Sequence, residues 1–418
     1  MGITAKELLS NKKFLSSSKL LYGDGKEDYQ AKRYENLYNI HTKTYSGNCT
    51  FFSSSGRIEV CGNHTDHNNG KVLCASISVD TIACVTPQEG KITIASIGYP
   101  VVEVDINDLQ VHKEEFGKSE GLVRGVLAYY KQNGYKIGGF AATTTSDVFK
   151  GAGVSSSASF ELLVAEILNV MFNDGKIDVI TKAKAAHMGE SEYFGKPCGL
   201  LDQSAISIGG VSYIDFKSTI NPKVEKIDWP FDDLAIVITN TGGDHCNLTG
   251  EYAAIREEME EVAKFFHAKK LRKVKEEDFY QNIAKLREVV SDRAIERAIH
   301  YFNENKRVDI AKKALQKGQE KKFIEMINQS GISSLTMLQN CFPNGAVAQP
   351  IPLGIALSKQ IKGVKAVRVH GGGFAGTIIA YIAKDEVQTY LDSMSKVFGK
   401  ENVFHIEVRN IGACKVEL

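Results

Sequence analysis

The sequence predicts an α+β protein with two domains. Its 418 residues are more than one hydrophobic core usually organises, and chains of this length commonly divide. The N-terminal half places several alternating, strand-like segments ahead of its first long helix, whereas a doubly wound protein alternates strands and helices from the beginning. Helical patterns then fill most of the second half, between separate strand-like segments. We therefore expect an N-terminal domain over residues 1–215 and a C-terminal domain over residues 216–418.

Composition and charge narrow the class of protein. Hydrophobic residues make up 43% of the chain and charged residues 24%, which is the ordinary range of soluble proteins. The formal net charge of +1 gives no reason to expect nucleic acid or an anionic membrane as a partner. The first residues lack the apolar core of a signal peptide, and no apolar run is long enough to span a bilayer. We therefore expect a cytoplasmic protein without nucleic-acid or membrane partners.

The eight cysteines are scattered along the chain. None forms a CxxC pair, and several lie inside apolar segments. This pattern favours buried free thiols in a reducing compartment over disulfides or a zinc site.

The N-terminal half contains a polar stretch and then a series of strands. Residues 1–50 are polar, with helical pieces, and we expect them to pack as a surface extension on the first domain. Strands are predicted at Arg57–Cys61 and 72–85, with a hairpin at 91–104. The loop after the first strand gathers His, Asp, Asn and Thr, side chains suited to binding hydroxyl groups. An Asx-rich turn without a ligand is the alternative.

The stretch Lys150–Ala158 is a glycine- and serine-rich turn between a predicted strand at 138–147 and a predicted helix at 159–171. Such a turn exposes backbone N–H groups at the positive end of a helix and favours an anion there. It lacks the Gly-Lys-Ser/Thr ending of a Walker A loop and the third glycine of a dinucleotide fingerprint. A serine-capped helix after a glycine loop is the alternative interpretation.

A single carboxylate, Asp202, is set among apolar residues. A second helix is expected at about 177–193, and Asp202 follows it beside Leu200 and Leu201. A buried carboxylate needs hydrogen bonds or a partner to offset its desolvation. Asp202 is therefore either functional or an exposed residue in a turn. A strand at 211–216 is expected to close the first domain.

The second half supplies one more glycine loop. A buried strand is predicted at 234–240, followed by a charged helix to about 271 and further helices within 281–340. Strands at 364–369 and 377–382 flank the triple glycine that begins at Gly371. Consecutive glycines between two strands indicate close approach of the backbone to another loop or to a ligand.

Taken together, the three glycine-containing loops resemble the motifs of the GHMP small-molecule kinases. They are Gly56-Arg57 with Gly62–Asp66, Gly151–Ala158, and Gly371–Gly376. The first loop resembles the galactokinase signature, as do Pro197–Gln203, the spacing from His245 to Glu251-Tyr252, and Arg256. The resemblance extends from about 45 to 385. It implies a two-domain fold with mixed β-sheets and helices and an active site in the cleft between the domains.

The resemblance implies a role for each residue that matches a motif. Asp202 would be the catalytic base at the C1 hydroxyl of the sugar, and Arg57 would keep it ionised and neutralise charge on the transferring phosphoryl group. Mg²⁺ would be held by Ser156, or a neighbouring serine, and Glu190, and Gly371–Gly373 would brace the phosphate loop. The sugar would be held by Asn63, His64, Asp66, Gly199 and Tyr252. The phosphates of ATP would be held by Gly151, Ala152, Gly153, Val154, Ser155, Ser156 and Ser157.

The resemblance also implies an activity, with one departure that affects the substrate. The expected reaction is transfer of phosphate from ATP to galactose, giving α-galactose 1-phosphate, by a monomer or weak dimer. Asn63 stands where the family has a glutamate that reaches the C6 hydroxyl, so we expect weaker rejection of galacturonate. The same chemistry on galacturonate, N-acetylgalactosamine or arabinose is an alternative, and so is a silent sugar sensor. Other departures are Ser55, His67, Asn69, Asp244, His370 and Ala375.

Overall fold

The structure is a computed structural model, and it describes residues 3–148, 153–196, 198–243, 248–374 and 376–418. Its helices are α1 Ala5–Ser10, α2 Lys12–Tyr22, α3 Glu27–His41, α4 Ser119–Gln132, α5 Ser156–Phe172, α6 Val179–Met188, α7 Leu201–Ile208, α8 Thr249–Phe265, α9 Glu276–Gln281, α10 Ile283–Leu286, α11 Asp292–Gln316, α12 Glu320–Ser333, α13 Pro350–Ser358 and α14 Val387–Phe398. Its strands are β1 Thr50–Cys61, β2 Lys71–Pro87, β3 Lys91–Ser96, β4 Val102–Asp105, β5 Phe140–Ser146, β6 Val211–Asp215, β7 Lys223–Ile227, β8 Leu234–Asn240, β9 Val364–Val369, β10 Thr377–Ala383, β11 Val403–Ile406 and β12 Cys414–Val416. This mixture of elements confirms the predicted α+β class.

The larger sheet is built around the long strands β1 and β2. Within the described residues its order is β12-β1-β2-β5-β3-β4, with β6 paired to β2 and β7 to β6. β3 and β5 are parallel, and the other pairs are antiparallel. The register between β1 and β2 shifts between Ser55 and Arg57 and again between Glu59 and Cys61. Because such irregularities bend a strand and re-aim its side chains, they decide where Arg57 and Glu59 point.

The smaller sheet carries the third glycine loop. Its order is β11-β8-β10-β9, with antiparallel pairs throughout. The third glycine loop connects β9 to β10, so the close backbone approach predicted for it occurs at one end of this sheet. One apolar core joins the two sheets, since Ile58 of β1, Ile238 of β8 and Ile379 of β10 belong to the same buried cluster.

The larger sheet extends past residue 215, where we expected the first domain to end. β7 pairs with β6 directly after that position, and β12 pairs with β1 in the register Phe51↔Val416. The last strand of the chain is therefore an edge of the N-terminal sheet. The domain division at 215 stays a prediction.

The N-terminal extension packs on the larger sheet through buried aromatic residues. Phe14, Tyr34 and Leu37 are buried with Phe51 of β1 in one apolar cluster. Below them, the Arg33 guanidinium donates to Asp80 of β2, with 2.5 Å between Nη1 and Oδ1. The predicted packing of residues 1–50 on the first domain is thus confirmed, and its contacts are those of a core rather than of a surface layer.

Two helices differ in extent from the sequence prediction. The helix expected at 177–193 is α6 followed by a π-helical turn, Gly189–Tyr193. The charged helix expected to reach about 271 ends at Phe265. π-helical turns are rare and concentrate at functional sites, and this one carries Glu190. None of the helices in the described ranges is long and apolar enough to cross a membrane.

Candidate active site

Arg57 and Asp202 form a bidentate ion pair at the centre of the site. The distances are 2.7 Å from Arg57 Nε to Asp202 Oδ1 and 2.7 Å from Nη2 to Oδ2. The shifted register of β1 aims the arginine, and the first turn of α7 presents the aspartate. Arg57 is 8% exposed, whereas the Asp202 side chain is 33% exposed. The carboxylate is therefore held in place and still accessible to a ligand.

The electrostatic surroundings keep Asp202 ionised. Burial raises the pKa of this carboxyl group, but the charge of Arg57 and hydrogen bonds from Arg57 and Ser155 outweigh burial and lower the pKa below its usual value. Both oxygens accept hydrogen bonds, with Ser155 Oγ donating to Oδ2. A carboxylate that is ionised at neutral pH can accept a proton. The alternative of an exposed Asp202 in a turn is wrong, because Asp202 is partly buried in the first turn of α7.

The glycine- and serine-rich loop meets the ion pair at the start of α5. The Arg57 backbone N–H donates to the Val154 carbonyl at 3.1 Å, and Arg57 Nη1 donates to the Gly153 carbonyl. Ser155 precedes the helix in a left-handed conformation, with φ of 63°, and its side chain does not cap the helix. The serine-capped alternative is therefore wrong, while the anion site expected at this helix start stays a prediction. Gly151 and Ala152 lie outside the described residues.

Glu190 lies beside this helix start and accepts hydrogen bonds from several side chains of the described residues. Ser157 Oγ donates to its Oε1 at 3.1 Å, and Lys196 Nζ donates to the same oxygen at 2.8 Å. Gln203 Nε2 donates to Oε2 at 2.7 Å. The serine that contacts Glu190 is thus Ser157, while Ser156 or a neighbouring serine as a metal ligand stays a prediction. Consecutive side chains on an α-helix point about 100° apart, so only one of two neighbouring serines faces the carboxylate.

A second carboxyl group, Glu161 of α5, lies behind Glu190. Burial and then the charge of Glu190 raise the pKa of Glu161 well above its usual value, which favours its protonated form. Gln203 Nε2 lies 3.4 Å from Glu161 Oε2, while Oε1 is buried without a hydrogen-bond partner in the described structure. The sequence analysis missed Glu161, Lys196 and Gln203 because their roles come from contacts with Glu190.

The residues expected to hold the sugar lie in two groups, one at Gly199 and one at the third glycine loop. Asp66 follows β1 and lies against Gly199, where any side chain at position 199 would meet the Asp66 carboxylate. His64 Nε2–H donates to the Gly372 carbonyl at 2.9 Å, and the Tyr252 hydroxyl donates to the Gly373 carbonyl at 2.9 Å. The first and third glycine-containing loops therefore meet at this position.

Asn63, which we expected to contact the sugar, is fully buried. Its Nδ2 donates to the Glu59 carboxylate at 3.0 Å and to the Gly371 carbonyl at 2.8 Å. Its Oδ1 accepts from Ser334 Oγ at 3.1 Å and from Asn340 Nδ2 at 2.9 Å. An amide has two donor hydrogens and two acceptor positions, and protein groups use all of them. This geometry replaces the expected sugar contact with a structural one.

Glu59 connects β1 to the smaller sheet. Its Oε1 accepts from Arg368 Nη2 of β9 at 2.7 Å, and both residues are buried. Its backbone N–H donates to His370 Nε2 at 2.9 Å, so the His370 proton is on Nδ1. His370 Nδ1 and Thr377 both lie beside Gly153 of the phosphate loop. A charged residue between Ile58 and Val60 in a buried strand was the sequence signal for this link.

Comparisons with known proteins identify the family. A galactokinase galactose-binding signature matches residues 39–87, and the GHMP kinase N-terminal domain matches residues 121–210. Galactokinase of Clostridium tetani is 28% identical over 85% of this chain and 89% of its own length. Galactokinase of Lactococcus lactis subsp. lactis is 30% identical over 88% of this chain and 92% of its own length.

Solved structures give the same fold. Lactococcus lactis galactokinase complexed with galactose superimposes with a TM-score of 0.80 and 25% identity, covering 92% of this chain and all of that one. Methanococcus jannaschii mevalonate kinase superimposes with a TM-score of 0.61 at 13% identity, covering 87% of this chain and 99% of its own, and shows the fold alone. Fold and phosphate loop thus define a GHMP small-molecule kinase. Within that class, the chain belongs to the galactokinase family.

Proposed function

We propose that this protein transfers the γ-phosphoryl group of ATP to the C1 hydroxyl of galactose. The observation that carries the proposal is the bidentate Arg57–Asp202 pair, which lies directly against the phosphate loop. A solved relative with this fold carries galactose. Phosphoryl transfer requires positioning, charge neutralisation and one base more than it requires covalent chemistry.

Asp202 is the base in this mechanism. Its lowered pKa leaves the carboxylate free to take the proton of the C1 hydroxyl as the oxygen attacks the γ-phosphorus. Arg57 stabilises the carboxylate before transfer and faces the charge that develops on the phosphoryl oxygens. Ser155, which donates to the same carboxylate, fixes the position of the base relative to the phosphate loop.

The nucleotide phosphates bind at the N-terminus of α5, where Gly153, Val154 and the serines meet. Ser157 and Glu190 are the proposed ligands of Mg²⁺, because hydroxyl and carboxylate oxygens are its preferred ligands and their oxygens lie 3.1 Å apart. When bound, the ion neutralises charge on the β- and γ-phosphates. Lys196, which contacts Glu190, supplies a further cation on this side of the site.

The sugar is held by Asp66 and Gly199 on one side and by His64 and Tyr252 on the other. Asn63 has no role at C6 in this proposal, since its amide is already used. Selectivity at C6 must then come from other groups in the pocket. A silent sensor is disfavoured because it would not need the paired base or the Ser157–Glu190 oxygens.

A sugar panel tests the proposal. We expect ADP release with galactose, and kcat/KM values at least about 10-fold lower for galacturonate, N-acetylgalactosamine and arabinose, the low end of what one added or missing group costs in a fitted pocket. A coupled ADP assay measures this, with glucose as the control for C4 selectivity. If ADP release were fastest with another sugar, that sugar would be the substrate. No release with any sugar would support the sensor.

Exchanging Glu59 and Asn63 tests the buried role of position 63. Asn63→Glu places a second carboxylate beside Glu59, and an uncompensated buried charge typically costs about 3–5 kcal/mol. We therefore expect Asn63→Glu to lower the melting temperature strongly. The double variant Glu59→Asn/Asn63→Glu restores one carboxylate and one amide but takes the carboxylate from the buried Arg368 guanidinium, so it should recover only part of that loss.

Calorimetric melting of both variants and the wild type measures the effect. If Asn63→Glu were as stable as the wild type and changed the ratio of galacturonate to galactose turnover, residue 63 would contact the sugar after all.

A further inference from the structure

A group of metal-ligating side chains lies outside the active site, where the N-terminal extension meets the larger sheet. His41 ends α3, Cys49 directly precedes β1, and Cys84 lies in β2, opposite Phe51. Their ligand atoms all lie within 4.8 Å of one another. Both cysteines are free thiols. We call these three residues the His41–Cys49–Cys84 cluster.

One ring nitrogen of the histidine in this cluster is held by a threonine, and the other has no partner in the described structure. His41 is fully buried, and its Nδ1 is 2.9 Å from Thr143 Oγ1 of β5. Its Nε2 is buried and has no hydrogen-bond partner in the described structure. When Nδ1 donates to the Thr143 hydroxyl, Nε2 keeps its lone pair. Metal-bound histidines are commonly oriented this way, with the second ring nitrogen donating to a neighbouring group.

We propose that the His41–Cys49–Cys84 cluster binds one Zn²⁺ ion. Two thiolates and one imidazole are typical zinc ligands, and tetrahedral zinc holds such atoms about 3.5–3.8 Å apart. Closing the cluster onto the ion therefore requires side-chain movements of about 1 Å. Cys49 is only partly buried, so water can reach the fourth position. The thiols lose their protons to solvent as the metal binds.

The site joins parts of the chain that the sequence analysis considered separately. Its ligands come from the last residue of the extension's third helix, from the residue before β1 and from β2, so the ion would fix the extension to the sheet. The expectation of free thiols without zinc rested on the absence of a CxxC pair, and here the ligands are 8 and 35 residues apart along the chain. A site of this kind is structural, because it lies in the cluster that packs α1–α3 rather than at the Arg57–Asp202 pair.

Metal titration of the full-length protein under reducing conditions tests the proposal. We expect about one Zn²⁺ per chain by elemental analysis after dialysis, and a thiolate-to-cobalt charge-transfer absorption when Co²⁺ replaces zinc. Cys49→Ser and Cys84→Ser should lose both signals. Cys414→Ser, which changes a cysteine of the same apolar cluster outside the three ligands, should keep them.

Two further measurements do not depend on the folding of a cysteine variant. Thr143→Val keeps all three ligands and should weaken zinc affinity by roughly 10–100-fold, as loss of such a partner typically does. In the wild-type protein, Zn²⁺ should protect Cys49 from alkylation, read by peptide mass spectrometry. Absence of the cobalt band in the wild type, zinc retained by both serine variants, or a Cys49–Cys84 disulfide under reducing conditions would overturn the proposal.

Discussion

Replacing Asp202 with asparagine is expected to lower kcat by at least about 10²–10⁴-fold, the usual contribution of a general base. The amide cannot take the proton of the C1 hydroxyl, and it leaves the Arg57 charge without its partner. Sugar and ATP dissociation constants should change much less, because binding uses other groups of the site. Single-turnover kinetics and calorimetric titration of each ligand separate the two effects.

Asp215→Asn is the matched control for this variant. Asp215 forms an arginine–aspartate pair with Arg272, 2.8 Å apart, away from the phosphate loop. Losing that pair should leave kcat near the wild-type value. If Asp202→Asn turned galactose over at the wild-type rate, Asp202 would not be the base, and the role of Arg57 would have to be reassigned with it.

Replacing Glu190 with glutamine is expected to lower kcat/KM for Mg·ATP by about 10²-fold or more, since metal stabilisation of phosphoryl charge is worth several kcal/mol. The amide keeps the shape of the side chain and removes the charge that would hold the ion. Sugar affinity should be nearly unchanged. Titration of Mg·ATP by calorimetry and the Mg²⁺ dependence of the rate measure the loss.

Two neighbouring glutamates serve as controls. Glu192, exposed on the same π-helical turn, should tolerate glutamine without effect. Glu161→Gln should also have a small effect, because burial and the charge of Glu190 already favour the protonated form of Glu161. If Glu161→Gln lowered kcat/KM for Mg·ATP strongly and Glu190→Gln did not, the metal ligand would be Glu161 of α5 rather than Glu190.

Local patterns in the sequence were sufficient for the elements and for the reactive groups. Alternating residues predicted β1, β2 and the β3–β4 hairpin, and the strand-to-helix turn predicted an anion site before α5. Asp202 was identified by its apolar neighbours and by a motif. These signals are short-range, because the alternation of a strand and the glycines of a loop both occur within about ten consecutive residues.

The sequence could not show how the side chains of these elements would meet. Ser157 rather than Ser156 faces Glu190 because of the rotation of α5, and Asn63 is buried because four protein groups surround its amide. Glu59 differs from a surface glutamate because it is buried and pairs with Arg368, which lies 309 positions away.

The sequence by itself therefore determined the class of fold and the three glycine-containing loops and supplied candidate residues for the reaction, because each is encoded in local spacing and residue type. The tertiary structure alone decided that β12 completes the first sheet, that Asn63 and Glu59 connect the sheets, and that His41, Cys49 and Cys84 converge. Those outcomes depend on packing between segments distant along the chain. Their free energies come from desolvation and contact geometry, which no short stretch of sequence specifies.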